Sequence, residues 1–232
     1  TTPEFNVNVC QLPFWALTVY YFWKSLNTNK NLDWLLFSIF STLGFLSKYL
    51  FIYLLISLFI YFFYNYEKNR KFIFKYFISI FISLLILTPH FYWLIDNNFI
   101  TIFYGLNRTG LLESNFIDHI INPFIFIIKQ ISILFPVLLM LTVLLKKFKK
   151  NINLQNKKIF FLIFINVIPL LLIVLTSVIS GTKIRTMWMT PFYLFFGVML
   201  IDVFRKNILI NNLNRFFLTF AFFLILSPAL YL

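Results

Sequence analysis

Lys48 is the first residue whose type and setting point to chemistry. It lies inside the apolar stretch 34–64, where a cation costs about 3 kcal/mol or more and usually faces a cavity or a partner. Gly44 and Ser47 beside it mark a break in the helix. An ammonium there can bind an anionic group at the outer membrane face; the alternative is a lysine that snorkels to the interface and meets only lipid phosphate. Tyr49, its neighbour, is a candidate substrate contact. A second group is the loop 181–191, which carries Lys183, Arg185 and Trp188 before Pro191. Two cations in so short a loop could clamp a phosphate or a sugar carboxylate, with Arg185 able to bind through two parallel hydrogen bonds. Interfacial anchoring by Trp188, with the cations on lipid headgroups, is the other reading.

The third group runs from His90 and Trp93 through Asn97 to Tyr104, Asn107 and Arg108. Aromatics at a membrane boundary commonly form a belt; the alternative is a sugar-stacking surface with amide and Arg108 partners. His90 and His119 are the only histidines. Without a third ligand of suitable type, no metal site is expected. Glu4 is either a helix-start charge or a polar contact facing the site.

These residues need elements to hold them, and the composition specifies the solvent. The chain has 232 residues, 61% hydrophobic and only 12% charged, with 34 phenylalanines. Soluble chains carry roughly 25% charged residues, so an ordinary soluble domain is excluded and a polytopic membrane protein is expected. The net charge of +13 reads as basic cytoplasmic loops rather than as nucleic-acid binding. The single cysteine, Cys10, excludes an internal disulfide and a cysteine-based metal cluster.

Apolar runs separated by polar breaks predict an all-α transmembrane bundle of about eight segments. They fall at 5–23, 34–64 as a pair, 72–93, 123–145, 159–180, 191–204 and 216–232. Thr2-Pro3-Glu4 has the residue types of a helix start. Fifteen of the twenty basic residues can share the cytoplasmic side only if 34–64 goes in and comes back as two short helices turning near Lys48. Each half is about fifteen residues, or ~22 Å of helix, short of the ~30 Å apolar layer. Residues 1–4, 94–122 and 181–190 then lie outside. Apolar residues at helical spacing from Phe116 to Phe124 predict an interfacial helix near 115–128. The whole chain reads as one membrane domain, 1–232, in the plasma membrane with its polar face extracytoplasmic.

Thr2-Pro3-Glu4, Gly44 with Leu46-Ser47-Lys48-Tyr49, Pro89 with Trp93 and Asn97, and Trp188 before Pro191 occur in an order that resembles the GT-C membrane glycosyltransferases. The likeness is to the protein-mannosyltransferase and aminoarabinose-transferase type, which use polyprenyl-phosphate sugars. It is strongest over 1–110. The resemblance implies transfer from a polyprenyl-phosphate donor to a cell-envelope acceptor: lipid A, polysaccharide or protein. It implies no cofactor, because the lipid-linked sugar is a substrate. It also implies that Lys48 lies near the donor phosphate and that Lys183 and Arg185 help hold donor or acceptor. The family usually has Asp where this chain has Glu4. Its catalytic acid sits in the first outer loop, ahead of the Thr-Pro-acid segment; that part would precede Thr1, so a C-terminal piece without the catalytic carboxylate is expected. The competing classes are a flippase for lipid-linked sugars, which would normally show internal repeats, and a non-catalytic assembly subunit.

Overall fold

A computed structural model describes residues 6–111, 115–146 and 156–229. Thr2, Pro3 and Glu4, together with Lys147, Lys149 and Lys150, lie outside the described residues. Helix α1 (Val7–Thr28) starts at Asn6, whose side chain accepts hydrogen bonds from the amides of Asn8 and Val9. Asn6 is a strong N-cap type, and the helix start expected at Thr2-Pro3-Glu4 lies outside the described residues. At the far end, Asn29 adopts the left-handed conformation, and α2 (Asn31–Ser47) runs back. The turn is pinned by Asp33, buried at 2% exposure. Its carboxylate accepts from the Thr28 hydroxyl and pairs with Lys24 at 3.2 Å.

Helix α2 ends at Lys48, whose backbone is extended, and after one 3-10 turn α3 (Ile52–Tyr64) runs back. The hairpin expected from the charge placement is therefore present, broken at a single residue. A short α4 (Tyr66–Asn69) leads into α5 (Ile73–Asp96). Helix α5 lies parallel to α2, joined by serines in the apolar contact. Ser79 donates to the Trp34 carbonyl and Ser83 to that of Ser38, each at 3.2 Å. Such bonds help where lipid offers no competing water and no hydrophobic drive for helix association.

Four helical stretches are long and apolar enough to cross a membrane: Tyr66–Asp96, Asp118–Leu144, Lys157–Ser180 and Ile210–Ser227. A fifth is possible if the bent pair Thr186–Tyr193 and Phe196–Asn207, angled by 49°, counts as one span. The expectation of about eight is not met at that stringency. The hairpin helices are too short, and the segment expected at 191–204 is a 3-10 stretch followed by a nine-residue α-helix. Along the chain these elements are α6 (Ile100–Arg108), α7 (Asp118–Leu144), α8 (Lys157–Ser180), the 3-10 stretch Thr186–Tyr193, α9 (Phe196–Phe204) and α10 (Leu213–Ala229). Exposed side chains such as Phe74, Phe81 and Ile131 form an apolar outer surface suited to lipid, the make-up of a multi-pass membrane protein.

The separate interfacial helix near 115–128 is also corrected. Residues 118–144 form one continuous helix. The polar side of its first turns faces protein rather than headgroups: Asn122 is buried and donates to the Gly181 carbonyl at 2.6 Å. His119 is hydrogen bonded to the Val178 carbonyl at 2.8 Å. The short helix of the long connection is α6 instead, reached through Asn98 and Phe99 in the left-handed region.

An aromatic cluster fills the centre. Phe22 of α1, fully buried, meets Phe37, Tyr61, Tyr76 and Phe161 within 6.2 Å between ring centroids. Contacts also sort the polar groups onto two ends. Asn29 accepts from Lys75, Tyr64 stacks on Phe160 and Leu145 bridges Ile208, which gathers the Lys- and Arg-rich loops at one end. The opposite end holds Lys48.

Candidate functional site

Helix α1 contributes two buried amides, Asn8 and Gln11, one turn apart on the same face. Gln11 Nε2 donates to the main-chain carbonyl of Lys48 at 3.1 Å, and Lys48 Nζ donates to Asn8 Oδ1 at 2.5 Å. The face of Trp188 covers the ammonium, with Nζ 5.0 Å from the ring centroid. Among the described residues no carboxylate pairs with Lys48; its partners are an amide and an indole. The guanidinium of Arg108 is near enough to act on it electrostatically. With no carboxylate among the described residues to neutralise it, this cation is open to an anion that enters from outside.

Trp188 is brought there by tertiary packing. Trp15 of α1 lies edge-on to Phe51 at 5.4 Å and against Phe192 at 4.9 Å, which seats the stretch Thr186–Tyr193 on α1. Upstream, Gly181 is left-handed at the end of α8. Ser177 donates to the Thr182 carbonyl at 2.7 Å, and the Lys183 amide donates to the Thr109 carbonyl at 2.9 Å. The loop is therefore tied to the end of α6. The side chains of Lys183 and Arg185 are exposed and make no hydrogen bond to a described residue.

Beside Lys48, the Tyr49 hydroxyl is hydrogen bonded to His90 Nε2 at 2.9 Å and to Thr101 Oγ1 at 2.8 Å. His90 in turn stacks on Trp93 at 5.9 Å. One phenol thus links the hairpin turn, α5 and α6. On α6, Arg108 donates to the Tyr104 hydroxyl at 2.8 Å. Asn97 spends its amide on the Trp93 carbonyl, at 2.8 Å, to close α5, and Asn107 is exposed.

An apolar cavity of about 390 Å³ opens between α2, α3 and α5. Phe45, which packs on Tyr49 at 5.3 Å, and Phe91, next to His90 along α5, are among the residues that line it. Ser41, Ser83, Phe59 and Tyr76 also line it. Among the described residues, no three His, Cys, Asp or Glu gather to hold a metal ion.

The structure thus brings together Lys48 with Trp188, Tyr49 with His90 and Trp93, and Tyr104 with Arg108. It leaves Lys183, Arg185 and Asn107 without a side-chain contact to that cluster and joins Asn97 to it only through the Trp93 carbonyl; Glu4 lies outside the described residues. Sequence reasoning did not single out Asn8, Gln11 or Thr101. The signal available for the first two was polar side chains inside an apolar span, which are costly unless satisfied or used.

Residues 1–93 match the family model described as dolichyl-phosphate-mannose-protein mannosyltransferase. The match takes in α1, the hairpin with Lys48 and Tyr49, and α5 through His90 and Trp93, and it makes this part of the chain similar to a glycosyltransferase family. No curated protein and no solved structure matches the chain.

Proposed function

We propose that this chain belongs to a membrane glycosyltransferase that takes a sugar from a polyprenyl-phosphate donor and passes it to a cell-envelope acceptor on the extracytoplasmic face. The observation that carries this reading is the pairing of head and tail sites. An ammonium held by neutral partners sits at the hairpin turn (Lys48 with Asn8 and Trp188), and an apolar cavity lies between the two helices of that hairpin and α5. A phosphate on a long isoprenoid chain needs both. The family match over residues 1–93 supports the sugar-transfer chemistry.

In the reaction, an acceptor hydroxyl loses its proton to a general base and attacks the anomeric carbon. The bond between that carbon and the phosphate oxygen breaks, through a transition state of oxocarbenium character. The electron pair leaves with the polyprenyl phosphate. Lys48, with Arg108 nearby, stabilises the growing negative charge, which fixed cations do well away from bulk water. In this reading exposed Lys183 and Arg185 bind donor or acceptor groups arriving from outside, and Trp93, Tyr104 and Asn107 contact the sugar. No described residue is assigned as the base.

The test uses membranes from cells expressing the full-length gene product. Labelled polyprenyl-phosphate sugars are supplied and the label is followed into lipid, glycan and protein fractions. Transfer by the wild type, lost in Lys48→Met at equal membrane insertion, is the expected result. Undiminished transfer by Lys48→Met would remove Lys48 from the reaction. Label that crosses the bilayer without being transferred would favour a flippase.

A further inference from the structure

The reading just given requires Lys48 to be aimed, and the rotamer entropy of a flexible lysine works against aim. We propose that Asn8 and Gln11 are the positioning residues of this cation: these two amides of α1, themselves uncharged, set where the ammonium sits and keep it unneutralised. The inference rests on the assignment of Lys48 to an anionic lipid phosphate.

Gln11 acts on the backbone. Lys48 interrupts the helix with φ −166° and ψ 130°, and its carbonyl accepts both from the Phe51 amide, at 3.0 Å, and from Gln11 Nε2. The Gln11 side chain is wholly buried, and its Oε1 has no hydrogen-bond partner among the described residues. An idle buried acceptor carries a desolvation cost, so the working half of this amide is the donor directed at Lys48. Asn8 acts on the tip. Its Oδ1 takes one of the three ammonium protons, leaving two for a ligand. Trp188 limits the remaining freedom from the other side. The acceptor being an amide is the decisive feature. An Asp at position 8 would form an ion pair with Lys48 and cancel the charge that must attract phosphate.

The test uses the 232-residue chain in detergent, titrated with farnesyl phosphate and, as the uncharged control, farnesol. Lys48→Met should weaken farnesyl phosphate binding about tenfold and leave farnesol unchanged. Asn8→Asp, nearly the same shape, should lose as much phosphate affinity as Lys48→Met. Asn8→Ala should lose less, because it frees the ammonium without neutralising it. Gln11→Leu, similar in size but without a donor, should also weaken phosphate binding and spare farnesol. Retained farnesol binding shows that the variants fold. If Lys48→Met loses phosphate while Asn8→Asp binds as the wild type does, the positioning role falls and the phosphate site stands. If Asn8→Ala is at least as damaging as Asn8→Asp, the role of Asn8 is structural and the inference also falls. If Lys48→Met itself binds as the wild type does, the phosphate assignment fails, and the inference with it.

Discussion

A methyl group on Gly44 would lie 2.3 Å from the ring of Phe51. The last turn of α2 and the 3-10 turn after Lys48 are therefore in direct contact, with the ring lying where a Cβ would otherwise stand. Phe51 is fully buried, packed on Trp15 as well, and cannot withdraw. Gly44 thus serves close approach rather than backbone freedom, and it fixes the angle at which the hairpin turns around Lys48.

Gly44→Ala should accordingly destabilise the protein by about 1–3 kcal/mol, the usual cost of overpacking. Phe51→Leu in the same chain should recover part of it by removing ring atoms. Thermal unfolding in detergent measures both. An unchanged midpoint for Gly44→Ala would show that the contact is slack.

The cavity between α2, α3 and α5 can be blocked without touching a charge. Ser83 lines it and faces Ser41 at 3.3 Å. Ser83→Phe should abolish binding of both farnesyl phosphate and farnesol, whereas Lys48→Met affects only the former. Farnesol binding undiminished in Ser83→Phe would place the isoprenoid tail elsewhere.

Arg185 is exposed and precedes the stretch that carries Trp188. If it grips donor or acceptor through two parallel hydrogen bonds, Arg185→Lys keeps the charge but loses the fork. Transfer activity should then fall by about tenfold, a loss of roughly 1.4 kcal/mol of transition-state stabilisation. Full activity in Arg185→Lys would exclude the bidentate contact.

The two polar ends should face opposite sides of the membrane. With Cys10→Ala removing the only native thiol, single cysteines at Asn107, on α6, and at Lys30, in the α1–α2 turn, report the two ends. An impermeant maleimide added to intact cells should label Asn107→Cys and leave Lys30→Cys unlabelled until the membrane is opened. Equal labelling of both would overturn the orientation.

The hairpin was legible because charge is a one-dimensional record of sidedness. Lys24, Lys30 and the Lys68–Lys75 group can lie together only if the chain between them crosses and returns, and the structure puts the break at Lys48 itself. The cluster of Lys48, Tyr49, His90 and Trp93 was likewise approachable from residue type and position along the chain. Helix α7 was misjudged at its start. Apolar residues recurring from Phe116 onward look the same whether the polar side of the helix meets headgroups or, as Asn122 does with Gly181, the end of another helix.

Amino-acid sequence alone determined the apolar surroundings this protein needs, the gathering of its basic loops at one end and the place where its hairpin breaks, because each follows from local polarity along the chain. Tertiary structure alone decided what holds Lys48. The bonds to Asn8 and Gln11 span forty and thirty-seven residues, the cover from Trp188 comes from a distant loop, and the cavity exists only between three packed helices. Such partners share no sequence period; they meet because the aromatic core around Phe22 and the Gly44–Phe51 contact leave one way for the helices to pack.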